Sequence, residues 1–241
     1  MIYMIYMIYD IYDIMYYSYD LKQVMWFNEA CKQANINIPM TQEYAIYPKS
    51  LYMKVRELDH TKTIDFCFIG AFAFTEGQTF GANNRKWVID FCKNYFNENS
   101  YFINTTAYYN HDTRDNTHDD SWVVLGDYDK TYQPHNHLVP KFLPLEKRNQ
   151  FDKEYFQRMC ASKFTLCPAG DQMWSMRFLE AIMCKSIPIV RTHEETYRSK
   201  QEEYLNYKYY LADHIDDIVY RSDWVEHNYN IFINMHTLEN L

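Results

Sequence analysis

From Ile64 onward, apolar positions alternate between short runs and helical stripes. Ile64 to Ile69 is mostly apolar and lies between Lys62 and Gly70, the form of a strand buried on both faces. Asn84 to Phe96 then spaces Trp87, Val88, Phe91, Cys92 and Phe96 along one face of a helix. A second strand is predicted over Tyr101 to Thr105. The intervening stretch from Gly70 to Arg85 holds three of the chain's five glycines, Gly70, Gly77 and Gly81. Strand, glycine-bearing loop, helix and strand make a βαβ unit with a crossover of ordinary length.

The alternation continues. A short strand is predicted at Trp122 to Leu125, a Pro- and His-containing loop at Tyr132 to Pro144, a helix at Phe151 to Cys160 and a strand at Lys163 to Cys167. A helix over Met173 to Cys184 and a strand over Ile187 to Val190 follow. Such a succession specifies an α/β fold, a Rossmann-like, doubly wound parallel sheet. The tail from Tyr204 to Leu241 reads as mostly helical, with Trp224, Asn228, Ile231, Phe232 and Met235 on one face.

The N-terminal part is different. Met1 to Ile14 repeats every three residues, which is neither the strand period of 2 nor the helix period of 3.6, and reads as a low-complexity extension or, since Ile and Tyr favour β structure, as an added strand. A helical pattern follows from Tyr19 to Asn35 (Leu21, Val24, Met25, Asn28, Cys31), and Pro39 closes the stretch after it. The organisation expected is a low-complexity repeat over 1–18, a reduced N-terminal segment over 19–62, and a Rossmann-like domain with a helical tail over 63–241.

Composition narrows the function classes. An apolar fraction of 47% over 241 residues supports a sizeable core. A formal net charge of -8 speaks against a nucleic-acid binder, which needs clustered Lys and Arg. No apolar run reaches the ~20 residues of a membrane span, and the N-terminus has no basic region followed by an apolar core, so a cytoplasmic location is expected. Six cysteines are scattered without a CxxC pair, as expected of reduced thiols packed as small hydrophobes.

One segment carries chemistry. The strand Phe164-Thr165-Leu166-Cys167 leads into Pro168, Ala169, Gly170 and Asp171, and the predicted helix beyond carries Trp174, Ser175, Arg177 and Glu180. The carboxyl end of a parallel strand is where open α/β sheets bind ligands, and free amides at the following helix favour an anion such as a nucleotide diphosphate. Gly170 allows close approach. Ser175 can donate to phosphate, and the planar fork of Arg177 suits it. Arg177 and Glu180 are at i and i+3, one helical stripe. A carboxylate there is a natural acceptor for the two hydroxyls of a ribose, although the same spacing also describes an ordinary surface Arg–Glu pair.

The stretch CASKFTLCPAGDQMWSMRFLEAIMCKSIPIV resembles the signature of exostosin-like glycosyltransferases of family 47. There a strand ending in Cys-Pro-x-Gly precedes a Trp-Ser-x-Arg-(x)2-Glu-Ala helix and an Ile-Pro-Val-type strand. The match is dense over about thirty residues, while the sheet pattern and the closing NYNIFINMHTL are looser. The resemblance implies a GT-B architecture, of which this chain carries the donor-binding C-terminal half. It implies inverting, metal-independent transfer from a nucleotide sugar, used as substrate with no cofactor, to a glycan or glycoprotein acceptor. By motif position Gly170, Asp171, Ser175, Arg177 and Glu180 would line the donor site, with Glu180 on the ribose, and Gly70 and Arg85 would face them.

The sequence departs from that family pattern at its beginning. Only about sixty residues precede Ile64, short of the roughly 100 to 150 of a common domain. The acceptor half is therefore expected to be truncated, replaced by something small, or supplied by a second chain, and no catalytic base is assigned. Asp127-Tyr128-Asp129 would instead suit a metal-dependent GT-A transferase, since paired carboxylates hold hard cations. A non-catalytic nucleotide-sugar or glycan-binding protein is the remaining alternative. His135, His137 and the stretch from His111 to Asp120 read as solvated loop rather than metal ligands. GxxxxGK, HExxH, GxSxG and GxGxxG are all absent.

Overall fold

A computed structural model describes residues 21, 24–35, 45–70, 85–104, 121–124, 139–142, 151, 153–169, 175–192, 206–215 and 217–238. The low-complexity opening, the loop 71–84, and the segments holding Asp127, Asp129, His111, His135, His137, Gly170 and Asp171 lie outside them. In chain order the regular elements are β1 (Met25–Trp26), α1 (Phe27–Gln33), β2 (Ala45–Ile46), α2 (Lys49–Arg56), β3 (Ile64–Gly70), α3 (Lys86–Tyr95) and β4 (Tyr101–Asn104). There follow β5 (Ser121–Val124), β6 (Val139–Phe142), α4 (Lys153–Cys160), β7 (Ser162–Leu166), α5 (Arg177–Met183), β8 (Ile187–Val190), β9 (Tyr210–Leu211), a 3-10 turn (Ala212–His214) and α6 (Ser222–His236).

Five strands make one sheet in the order β4-β3-β7-β8-β9, and each neighbouring pair is parallel. A strand buried on both faces sends alternate side chains to opposite sides. Thus Cys67 and Ile69 of β3 enter a core with Met159 of α4 and Phe178, Leu179 and Ile182 of α5. Phe66 and Phe68 enter the core on the other side, with Trp87, Val88 and Phe91 of α3. Across the second core Phe66 stacks on Phe164 of β7 at 5.3 Å and on Phe96 at 5.8 Å. Helices cover both faces, and the fold is α/β and Rossmann-like.

The strand order contains one reversal of direction across the sheet. The chain goes from β3 to β4 on one side and later returns to place β7 on the other side of β3. The carboxyl ends of β3 and β7 therefore diverge at a topological switch point, the place where open α/β sheets leave a crevice.

The N-terminal segment packs onto the same core. Tyr47, Tyr52 and Val55 are buried with the α4 and α5 residues. The Tyr47 amide donates to the His236 carbonyl at 2.8 Å, and His236 Nδ1 donates to the Ala45 carbonyl at 2.8 Å. A small satellite cluster of Leu21, Phe27, Ala30, Cys31 and Ile46 completes this side.

Four expectations need correction. The helix expected from Tyr19 begins at Phe27, because Met25 and Trp26 pair antiparallel with Ile46 and Ala45. The loop expected over Tyr132 to Pro144 contains β6, paired antiparallel with β5. The helix expected from Met173 begins at Arg177, so Ser175 and Met176 precede it. The tail expected to be mostly helical first supplies β9, which extends the sheet beside β8, and becomes helical at Ser222.

Candidate functional site

Gly70 is the last residue of β3, and the Arg177 guanidinium lies directly against it. A Cβ on Gly70 would sit 2.7 Å from Arg177 Nη2, 3.2 Å from its Cζ and 2.9 Å from Phe68 Cζ. The absent side chain is what makes room for the cation. The guanidinium also sits 5.4 Å from the centre of the Phe68 ring, within the range of a cation–π contact of about 0.5–1 kcal/mol. Phe68 is fully buried and tilted against Phe102 at 5.3 Å, so the surface under the guanidinium is held by the core.

Arg177 Nε and Nη1 are out of solvent and have no hydrogen-bond partner among the described residues, and Ser175 Oγ is in the same state. Burial opposes the charge on Arg177, but the nearby Tyr155, Cys167 and Glu180 hold its pKa above the ordinary value. Leaving buried donors unmade costs about 1–3 kcal/mol for each group, more for charged ones. Buried donors left without partners call for acceptor oxygens.

Glu180, one turn along α5, is partly buried. It forms no ion pair with Arg177; its partner is Tyr155 of α4, whose hydroxyl donates to Oε2 at 2.6 Å. The surface-pair alternative for Arg177 and Glu180 does not describe this geometry. The pKa of Glu180 is raised on balance: burial pushes it up, and the Tyr155 hydrogen bond and the Arg177 charge offset this only in part. The phenol of Tyr155 is itself raised well above its usual value by burial and by the Glu180 charge, so it stays a donor.

Arg85, at the N-cap of α3, sends Nε to the Ala169 carbonyl at 2.9 Å. It thereby ties the start of α3 to the residues that follow β7. On the other side the Tyr47 hydroxyl reaches the Met176 carbonyl at 3.4 Å, so the N-terminal segment touches the turn that carries Ser175. Of the predicted site residues, Gly70 and Arg177 are in contact, Ser175 and Glu180 flank Arg177 on the same segment, and Arg85 donates to the Ala169 carbonyl after β7. Gly170 and Asp171 lie outside the described residues. Beneath the site Cys67 and Cys167 are fully buried; burial pushes the Cys67 thiol up to about 12 and the Cys167 thiol higher still, which removes both as nucleophiles.

Sequence reading missed Tyr155, Phe68 and Tyr47 as site neighbours. Tyr155 was legible only as one position of a predicted helix in a chain with 24 tyrosines. The alternation along β3 did mark Phe68 as opposite in face to Cys67 and Ile69. No local signal placed it under a cation from α5.

A parallel five-stranded sheet with helices on both faces puts the chain in the Rossmann-like class of α/β folds. The family model of the Exostosin GT47 domain matches residues 22–213. The chain belongs to this family, which is one of glycosyltransferases, and the matched stretch runs from the N-terminal segment through β9. No curated protein and no solved structure matches the chain. Among the described residues no helix is long and apolar enough to cross a membrane.

Proposed function

We propose that the chain binds a nucleotide-sugar donor at the carboxyl ends of β3 and β7, as the donor half of a GT-B-type enzyme, and transfers the sugar to a hydroxyl of a glycan or glycoprotein. The observation that carries this reading is the Arg177 guanidinium, seated on Gly70 with two N–H groups unpartnered among the described residues. In the proposed complex Arg177 and the Ser175 hydroxyl hold the diphosphate, and the Glu180 carboxylate accepts from the ribose hydroxyls. Arg85 holds the start of α3 to the Ala169 carbonyl beside them. Gly170 and Asp171 join the site on the family motif alone.

The reaction proposed is inverting. An acceptor hydroxyl loses its proton to a base, attacks the anomeric carbon from the face opposite the nucleotide, and forms the new glycosidic bond as the bond to the diphosphate breaks. Arg177 stabilises the charge that develops on the departing nucleoside diphosphate, which is the work otherwise done by a metal ion. The acceptor and the base would come from the reduced N-terminal segment, which already touches the turn before α5 through Tyr47, or from a second chain. Six buried thiols, none of them in a disulfide, suit a reducing compartment, and on that ground we assign the protein to the cytoplasm.

Calorimetric titration tests the donor site. Arg177→Ala should weaken a nucleoside diphosphate by about 1.5 to 3 kcal/mol, the range of a charge-assisted hydrogen bond, and leave the unphosphorylated nucleoside nearly unaffected. Glu180→Gln should weaken both ligands, because the amide turns one acceptor into a donor. If both variants stay folded and bind both ligands like the wild type, the donor-site reading fails.

A further inference from the structure

The carboxylate proposed to meet the ribose is held by a residue from another helix. Tyr155 and Glu180 are 25 positions apart and meet at 2.6 Å, within the short range of an O–H to carboxylate hydrogen bond. No ion pair supports Glu180 among the described residues, although burial disfavours its charge. A partly buried carboxylate that must stay ionised needs donors. Tyr155 supplies one, occupies Oε2 only, and leaves the other oxygen to accept from a ligand. Because burial and Glu180 raise the phenol's pKa, this donor persists through the neutral and mildly alkaline range.

We infer that Tyr155 is a positioning residue for donor binding: its hydroxyl orients the Glu180 side chain and keeps it ionised as the acceptor for the sugar hydroxyls of a nucleoside. This rests on the donor-site reading of Glu180. The role is distinct from a simple clamp between α4 and α5, because a clamp affects stability without moving the pH dependence of nucleoside binding. Removing the phenol oxygen takes away a hydrogen bond that lowers the Glu180 pKa, so the carboxylate should take up its proton at higher pH.

The test uses adenosine, cytidine, guanosine and uridine as probes, titrated by NMR against the whole chain across pH. They carry no phosphate whose own ionisation would enter the profile. Wild-type affinity should be level at neutral pH and fall on acidification as Glu180 protonates. Glu180→Gln should weaken binding and flatten that fall. Tyr155→Phe, which keeps the ring, should weaken binding roughly tenfold, the factor that loss of a single well-formed hydrogen bond gives, and should move the acidic fall to higher pH. Adding Tyr155→Phe to Glu180→Gln should cost nothing more. If Tyr155→Phe lowers affinity equally at every pH, or not at all, while Glu180→Gln has its effect, Tyr155 is only a clamp and the inference is overturned. If Glu180→Gln binds every nucleoside like wild type, the ribose reading itself falls and takes the inference with it. Should Tyr155→Phe fail to fold, Glu180→Asp replaces it: the carboxylate keeps its charge but draws back from the phenol, so the same upward shift is expected, and a wild-type profile overturns the proposal.

Discussion

Gly70 and Arg177 are a matched pair: the strand end has no side chain where the guanidinium rests, and a Cβ there would come within 2.7 Å of Nη2. Real side chains do not tolerate that approach, so a methyl group would have to move the guanidinium off the end of β3. Gly70→Ala should therefore weaken nucleoside diphosphate binding about tenfold, through displacement of a charged donor, with a stability loss of about 1–3 kcal/mol for overpacking at the Phe68 ring. Nucleoside binding should change little. Isothermal titration with both ligands checks this, and unchanged diphosphate affinity would show that the seat on Gly70 does not set the position of Arg177.

Metal dependence separates the proposed chemistry from the Asp127/Asp129 alternative. If Arg177 and Ser175 neutralise the diphosphate, chelation by EDTA should leave donor affinity within a factor of about two, well under the tenfold worth of one lost charged contact. Asp127→Asn combined with Asp129→Asn should be equally mild. Affinity that vanishes with EDTA and returns with Mn²⁺ would transfer the diphosphate to a metal held by those carboxylates.

The fold was legible where local pattern and tertiary demand coincide. Ile187 to Val190 is a strand with the bounds read from the sequence, and β3 differs by one residue, because a short apolar run between turns has no helical reading of comparable strength. Elements made by partners were not legible. Tyr210 and Leu211 form β9 only because β8 offers them its open edge, and Met25 and Trp26 leave the expected helix only because Ala45 and Ile46 pair with them. Two residues carry no period. At the site, Arg177 and Glu180 could be picked out by motif and helical spacing, whereas Tyr155 comes from another helix and Phe68 from beneath the sheet end. Periodicity shows which face a residue takes and not which side chain it meets.

Thr165 and Ser186 show how a buried polar pair fixes the strand that leads to the site. Their hydroxyls meet at 2.8 Å with both residues essentially fully buried, joining β7 to the entry of β8. Removing either hydroxyl strands the other, so Thr165→Val and Ser186→Ala should each destabilise by about 1–3 kcal/mol. With both changed no orphan is left, and the double variant should lose less than the sum of the two. A double-mutant cycle by urea denaturation reads the coupling directly. Additive losses would mean that the hydroxyls do not depend on one another.

His236 gives the chain a stability that depends on pH. It is fully buried at the end of α6, its Nδ1 donates to Ala45, and burial depresses its pKa from 6.5 to about 4, with the backbone hydrogen bond opposing in part. The unfolded chain binds this proton more strongly than the folded one, so acidification favours unfolding. The stability tied to the neutral imidazole is thus fully present above pH 6.5 and is lost as pH falls from 6.5 toward 4. A shift of that size corresponds to about 3 kcal/mol over the whole window, of which roughly 2 kcal/mol should be gone by pH 5. Urea midpoints measured at steps from pH 7.5 to pH 5 should follow that decline. His236→Gln provides the control: it will be less stable at neutral pH, because the amide fits the Ala45 carbonyl poorly, but its stability should be flatter across the same window. If the wild type and His236→Gln fall in parallel between pH 6.5 and 5, the slope belongs to other groups and His236 is not buried in its neutral form.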